Sequence, residues 1–299
     1  MPPSLLETIP LELLARVCEY IGLSHRPSLL SFALASKHCH SVAKRLFFHT
    51  IRFSANSGRQ LELDVGECIS ILERNTSFSD VRILLITSRG RDKNDGALSL
   101  ARGGTRSWSL GLPLSLSEIV DGDKDRLQGL ERRSALVPNV YHATSPHIAI
   151  LTDTAWQSLA SLVQRLQGLR DVLYAVPSQL PPCLLHALLQ YQPRCRLRVY
   201  TFRLRSLHLS ETDPEELALL TAPCLYGIWV WYTDGYDDYD QPDYHAEAVY
   251  SMVKGLAPNL KEVQMFKGRF DYESYEYAGN PLPPRPPWKG FTNVGEDLT

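Results

Sequence analysis

Apolar residues recur at helical spacing near the start of the chain. In the segment "TIPLELLARVCEYIG", one face of the predicted helix is formed by Leu14, Val17, Cys18 and Ile21. Their i, i+3, i+4, i+7 spacing is typical of an amphipathic helix. Pro10 suits the first turn because its φ is fixed and it lacks an N–H, and Gly22 is typical of a helix end. We therefore predict a helix that ends at Gly22.

Two further helices are predicted before residue 48. The second begins at "RPSLLSFALAS", with Pro27 in its first turn, and has an apolar face that comprises Leu30, Ala33 and Leu34. The third spans 37–47, with an apolar stripe that comprises Cys39, Val42, Ala43, Leu46 and Phe47. Three short helices bury little surface and are marginally stable alone. We expect this unit to dock onto a partner.

After residue 50 the chain alternates between helical patterns and short apolar strands. Segment 60–75 has a helical pattern, and 78–88 is a predicted buried strand. Three later segments each combine a helix, a Pro or Gly break, and a strand; the strands are 172–176, 197–202 and 260–266. Another apolar run, 222–232, has strand length. Such units bury their apolar faces by stacking, so the sequence predicts an α/β chain with an irregular helix/strand solenoid.

The pattern is lost between residues 89 and 139. This segment is rich in Gly, Ser and mixed charges, and a loop of such length is typically disordered or a functional insertion. Its charges nearly balance, which is a poor match for a nucleic-acid-binding arm. Trp108 and 110–116 leave a packed flap as the alternative. We predict disorder.

Composition limits the class of protein without naming a function. The chain has 299 residues, 44% apolar and 21% charged, with a net charge of -2, which predicts a globular protein without nucleic-acid partners. No apolar run approaches membrane-spanning length, and the N-terminus lacks a signal-peptide pattern. Six scattered cysteines without a C-x-x-C pair are typical of a reducing compartment. We expect a cytoplasmic or nuclear protein that does not contact membranes.

Three potential metal ligands are adjacent in "SKHCHSVAKRLFF": His38, Cys39 and His40. Successive helical residues are about 100° apart, so the two histidines diverge and Cys39 points inward. Tetrahedral zinc needs four convergent ligands, and no paired spacing supplies them. We therefore predict neither a metal site nor a cofactor.

Motifs for catalysis are missing from the sequence. It contains no G-x-S-x-G elbow, no phosphate loop and no H-E-x-x-H. Isolated histidines are interpreted as surface or boundary residues: His142, His147, His186, His208 and His245. We predict that the chain is not an enzyme. The alternative, a hydrolase, would need a buried polar pocket containing a histidine and a carboxylate.

Two C-terminal segments are candidates for partner binding. "WVWYTDGYDDYDQPDY" (229–244) lacks the spacing of a calcium loop, and it is either a solvated turn or a site for a basic protein; its candidate contacts are Trp231, Tyr236, Asp237, Asp238 and Tyr239. "NPLPPRPPWKGF" fits P-x-x-P spacing. The alternative for that segment, which we favour, is a connector that docks Trp288 and Phe291.

Residues 8–53 resemble a known family. "IPLELLARVCEYI" is similar to the opening of an F-box, whose pattern is Leu-Pro-x-Glu-Leu, with Ile9 where leucine is usual. "PSLLSFALASKHCHSVAKRLFFHTIRF" resembles its second and third helices and the exit strand of fungal members. The phrases "LQGLRDVLYA" and "LAPNLKEVQ" resemble the C-terminal regions of such proteins. The resemblance implies an F-box at 1–53 and a leucine-rich-repeat-like substrate-binding domain at 54–299.

The resemblance also implies a function. An F-box docks on the Skp-type adaptor of a cullin-based SCF ubiquitin ligase, and the repeat domain recruits a protein substrate without catalysis. By resemblance, the adaptor-facing and core positions are Ile9, Pro10, Leu13, Leu14, Val17 and Leu30. The alternative is a repeat scaffold outside any ligase, in which the F-box-like unit serves as an N-terminal cap.

Overall fold

Helices and strands alternate along the chain in the computed structural model. It describes residues 9–55, 57–87, 108–111, 153–176, 178–209, 211–233, 235–236, 241–268 and 284–291. Three helices come first: α1 (Leu11–Ser24), α2 (Arg26–Ala35) and α3 (Lys37–Phe47). The following elements are β1 (Thr50–Ser54), α4 (Gly58–Asn75), β2 (Ile83–Thr87), β3 (Trp108–Gly111), α5 (Asp153–Arg165), β4 (Asp171–Ala175), α6 (Pro182–Tyr191), β5 (Arg196–Phe202), α7 (Pro214–Leu220), β6 (Leu225–Tyr232), α8 (His245–Ser251) and β7 (Glu262–Lys267).

Helices α1 to α3 form a small core of their own. It consists of Leu14, Cys18, Leu29, Ala33, Cys39, Val42, Ala43 and Leu46. The predicted stripe of α3 is confirmed, and the Ser36 hydroxyl caps this helix by accepting the Cys39 N–H at 3.1 Å. Phe47 contacts both this core and the main one, so it joins the unit to the sheet.

Two details predicted for these helices are wrong. Helix α1 continues past Gly22 to Ser24 and ends where the His25 N–H bonds to the Ile21 carbonyl at 2.8 Å. Leu34, predicted on the buried face of α2, is 85% exposed, and Leu29 lies in the core instead. The predicted start of α2 is confirmed: the helix begins at Arg26, with Pro27 in its first turn.

The strands form one seven-stranded sheet in the order β3-β1-β2-β4-β5-β6-β7. All pairings are parallel except that of β3 with β1. From β1 through β7, apart from β3, each strand lies beside its neighbour in the chain, and a helix precedes the next strand. The predicted α/β alternation is confirmed. β1, which we expected to end the F-box-like unit, lies inside the sheet.

Some predicted boundaries in the sheet region change. Helix α4 matches the predicted 60–75, whereas the predicted strand 78–88 contains a short 3₁₀ turn, Phe78–Asp80, before β2. Helix α7 was missed because seven residues give little periodicity. The start of α7 nevertheless has residues that are typical of a helix N-terminus. Pro214 lies in the first turn, and the Asp213 carboxylate accepts the Glu215 N–H at 2.8 Å.

The two faces of the sheet differ. One face packs against helices and contributes to the main core; examples are Leu84, Ile86, Val172, Tyr174 and Val199. The other face carries a smaller cluster of Ile83, Leu85 and Leu173, with Tyr200 beside it. None of the helices in the described part of the chain is both long and apolar enough to cross a membrane.

The predicted disorder is wrong for residues 108–111, which form edge strand β3. Trp108 is buried, its indole N–H donates to the Glu67 carboxylate at 3.0 Å, and its ring lies 6.2 Å from that of Phe53. The alternative prediction, a packed flap, therefore describes residues 108–111 better than disorder does. The other residues of 89–139 lie outside the described part of the chain.

Gly168 follows α5 and occupies a tight position. A Cβ atom there would overlap the Arg82 guanidinium and the Ser79 carbonyl, and would lie 2.9 Å from the Val81 carbonyl. Arg82 also donates to the Gly168 carbonyl at 2.7 Å. Because Gly168 has no side chain, the loop after α5 can approach the segment 79–82 before β2 this closely.

We expect Gly168→Ala to lower the free energy of unfolding by about 1–3 kcal/mol, because the backbone must shift. Chemical denaturation measures this change. Gly66→Ala is the matched control: Gly66 lies exposed in α4 with open space around its Cα, so alanine should stabilise the helix by up to about 1 kcal/mol. Equal stability changes in both variants would contradict the steric argument.

Candidate protein-binding surfaces

Helix α1 carries apolar residues on two faces. Leu14 and Cys18 are buried in the three-helix core. On the adjacent face, about 100° around the helix, Leu13 is 54% exposed, Val17 46% and Tyr20 74%. These three residues have i, i+4, i+7 spacing, so they align along the helix. We refer to Leu13, Val17 and Tyr20 as the α1 stripe.

The structure divides the six residues assigned to adaptor binding into three groups. Pro10, Leu13 and Val17 are exposed, Ile9 and Leu30 are half-buried, and Leu14 is buried. Leu14 therefore supports the unit from inside and does not present its side chain to a partner. Tyr20 was not assigned from the sequence, although it lies seven residues after Leu13 and the spacing could have indicated it.

The α1 stripe has the chemistry of a protein interface. Aligned large apolar side chains at the surface are characteristic of docking sites, and tyrosine is among the residues that contribute most binding energy. Leu34 on α2 adds a further exposed apolar side chain. The three-helix unit therefore closes its core with one face of α1 and leaves the other face to solvent.

Aromatic side chains occupy the helix-free face of the sheet at its β7 end. Tyr200 on β5 stacks on Trp229 of β6 with ring centroids 4.1 Å apart, and Trp231 stacks on Phe266 of β7 at 4.8 Å. We call these four residues the aromatic row. Trp229 is buried, whereas the other three are half-buried, so part of each stack is accessible.

Of the residues predicted for partner binding in 229–244, the structure describes two. Trp231 belongs to the aromatic row, and Tyr236 is half-buried and pairs with Pro242 through a backbone bridge. Asp237, Asp238 and Tyr239 lie outside the described residues. The solvated-turn interpretation is wrong for Asp243, which is buried.

A charged network lies beside the aromatic row. Buried Arg198 donates to Asp171 at 2.5 Å and to Glu262 at 2.7 and 3.1 Å, and Arg196 donates to Asp171 at 2.8 Å. Burial alone would lower the pKa of Arg198, but the hydrogen bonds to Glu262 and Asp171 raise it above its ordinary value. The guanidinium also lies 4.8 Å from the Tyr226 ring.

Gly227 makes this network possible. Arg198 on β5, Gly227 on β6 and Glu262 on β7 occupy one register row, so the ion pair crosses the middle strand. A Cβ on Gly227 would lie 3.2 Å from the Arg198 Cγ and 3.2 Å from a Glu262 carboxylate oxygen. The network therefore couples the register of four strands, β4 to β7.

His245 is buried and paired, which corrects its interpretation as an isolated surface or boundary residue. Its Nδ1 lies 2.6 Å from the Asp243 Oδ1, and its Nε2 accepts the Leu204 N–H at 3.1 Å. Because Nε2 accepts, the proton of the neutral ring is on Nδ1. Burial would raise the pKa of Asp243, but hydrogen bonds from His245 and the Thr233 N–H lower it below its ordinary value.

This His–Asp pair has the elements named for the hydrolase alternative, but not its geometry. A general base needs a free ring nitrogen facing a substrate, and the Leu204 N–H occupies that nitrogen here. Nearby, the buried Glu216 carboxylate accepts the Ser206 N–H at 3.1 Å and its hydroxyl at 2.5 Å. Both acids hold the loop after β5 in place.

Helix α3 directs the three adjacent candidate metal ligands, His38, Cys39 and His40, to different sides. Cys39 is buried as predicted, His38 is half-buried and His40 is exposed. Burial raises the pKa of the neighbouring core thiol, Cys18, to about 11. Within the described ranges, no three His, Cys, Asp or Glu side chains converge to hold a metal ion.

Residues 284–291 dock on the rest of the protein, in agreement with the connector interpretation. Trp288 and Phe291 meet edge to face at 5.0 Å, and both pack against the main core. The Tyr244 hydroxyl donates to the Pro286 carbonyl at 2.9 Å, and Arg285 pairs with Glu247.

Comparison with protein-family models finds no match for this chain, and neither does comparison with curated proteins.

Proposed function

We propose that the chain is a substrate-recognition subunit of an SCF-type cullin ubiquitin ligase. In this proposal the three-helix unit is an F-box that binds a Skp-type adaptor protein. The sheet domain binds a protein substrate in the cytoplasm or nucleus, and the chain itself catalyses no reaction. The observation that carries the proposal is the α1 stripe, a row of large apolar side chains that the unit's own core does not use.

Two features support the assignment of the three-helix unit. Its sequence resembles an F-box throughout residues 8–53, and the same range contains the three helices α1 to α3. Among the residues that the structure describes, its core contains eight buried side chains. Small units of this kind gain stability when a partner covers further apolar surface.

The sheet domain supports the second half of the proposal. Strands that follow one another in the chain are neighbours in a parallel sheet, with helices on one face. We assign this arrangement to an irregular leucine-rich-repeat-like solenoid. The aromatic row on the helix-free face supplies rigid contact area of the kind that protein interfaces favour.

The test is a pull-down and calorimetric titration of the chain with a purified Skp-type adaptor. Leu13→Asp/Val17→Asp should weaken binding on the order of 100-fold or more, because two charges enter an apolar contact, each at a cost of about 2 kcal/mol or more. Both side chains are exposed in the free chain, so the helical content of the variant should stay unchanged.

A matched control is Leu63→Asp/Val253→Asp. Leu63 is 60% exposed and Val253 62%, close to the values for Leu13 and Val17, but they lie on α4 and in the π-helical segment Met252–Leu256 that follows α8. This variant should bind like the wild type. Absence of wild-type binding would instead favour the alternative, a scaffold outside any ligase in which α1 to α3 form an N-terminal cap.

A further inference from the structure

Three basic side chains lie side by side where three neighbouring strands begin. His49 precedes β1, Arg82 precedes β2 and Arg170 precedes β4. Their backbones are linked, because the Arg82 N–H bonds to the His49 carbonyl at 2.8 Å and the Arg170 N–H to the Arg82 carbonyl at 2.8 Å. Neighbouring strands are about 4.8 Å apart. We call His49, Arg82 and Arg170 the basic row.

Within the described ranges, the positive charge of the basic row is only partly offset by Asp171. Asp171 is adjacent, but its Oδ1 is bound by Arg198 and its Oδ2 by Arg196. In the described part of the chain, no ion pair involves Arg82 or Arg170. Arg82 donates to the Gly168 carbonyl at 2.7 Å, which is a neutral acceptor, and Arg170 is exposed.

The pKa of His49 is sensitive to the positive charge of the two arginines. The ring is half-buried, and its Nδ1 lies 3.2 Å from the Thr50 hydroxyl. Burial lowers the pKa of His49, and the charges of Arg82 and Arg170 lower it further, against a smaller opposite effect of Asp171. Burial is the largest cause, and the arginine charges that add to it would also attract an anion.

We propose that the basic row binds an oxyanion, a phosphate or carboxylate group carried by a partner of the chain. Arginine is suited to this role because its planar guanidinium matches the oxygens of both groups. Arg170 is the solvent-facing member and makes the first contact. Arg82 and His49 form the half-buried floor, and a bound anion favours the protonated imidazole. The site lies at the junction of α3 and the sheet and does not depend on the function proposed above.

The test is an NMR titration of the His49 ring in the full-length protein. The probes are inorganic phosphate and acetate, each compared with chloride at equal ionic strength. Phosphate should raise the apparent pKa of His49 and bind saturably. Binding of acetate with equal affinity identifies a carboxylate as sufficient, whereas tighter phosphate binding identifies a phosphate group.

Arg170→Gln should weaken phosphate binding about tenfold or more, since it removes one charged donor and leaves the Arg82–Gly168 contact intact. Arg194→Gln is the control: Arg194 is also exposed, in the turn before β5, but outside the row. It should bind like the wild type. No effect of phosphate on His49, or equal weakening by both variants, would overturn the proposal.

Discussion

Replacing Cys39 by aspartate should unfold helices α1 to α3 and, under the proposed function, abolish binding of a Skp-type adaptor. Cys39 has no exposed surface and lies among Leu14, Cys18 and Leu29 in a core of eight buried residues. A carboxylate there is charged without a partner, or is protonated at a large cost; either way the penalty is several kcal/mol. We expect this penalty to exceed the folding free energy of a unit with so small a core.

Hydrogen exchange measured by mass spectrometry checks this prediction region by region. In Cys39→Asp, peptides from 11–47 should lose protection, whereas those from β4 to β6 should keep it, because these strands belong to a separate core. His40→Asp, which places the same charge on the adjacent exposed residue, should leave protection and adaptor binding unchanged. Native-like protection of 11–47 in Cys39→Asp would contradict the assigned core.

Replacing Arg198 by leucine should destabilise the sheet domain by about 3–5 kcal/mol, the usual cost of removing one partner of a buried ion pair. Arg198 is almost fully buried, and its loss leaves Asp171 without one of its two arginines and Glu262 without any ion-pair partner in the described structure. Urea denaturation monitored by tryptophan fluorescence measures the change, because Trp229 and Trp231 lie on β6.

Arg196→Leu is the matched control for Arg198→Leu. Arg196 contacts the same aspartate, but its side chain is 45% exposed, so its removal should cost less than about 1 kcal/mol. A triple variant, Arg198→Met/Asp171→Asn/Glu262→Gln, should recover much of the lost stability because no buried charge is left unpaired. Similar losses for Arg196→Leu and Arg198→Leu would show that the network is not the cause.

Much of the secondary structure could be predicted because its determinants are local. The stripe of α3 depends on residues close together in the chain, so the spacing of side chains was sufficient to predict it. Helix α7 was not predicted because it is short. Strand β3 was not predicted because its four residues are stabilised by pairing with β1 and by the Trp108–Glu67 hydrogen bond, and not by their own hydrophobic pattern.

The candidate site was predicted less completely. The F-box resemblance pointed to α1, but it grouped the buried Leu14 with the exposed Leu13 and omitted Tyr20. Apolar residues line two sides of α1, and only the positions of α2 and α3 determine which side is covered. Periodicity alone cannot distinguish them.

The sequence by itself determined the order of helices and strands, the inward direction of Cys39 and the resemblance of the first fifty residues to an F-box. These depend on contacts within a few residues, where spacing fixes geometry. Only the tertiary structure decided which partners distant side chains meet. Arg198 reaches Glu262 across Gly227, His245 receives the Leu204 N–H, and Arg170 lies beside Arg82. Those pairings follow from strand register and loop packing, which join residues far apart in the chain.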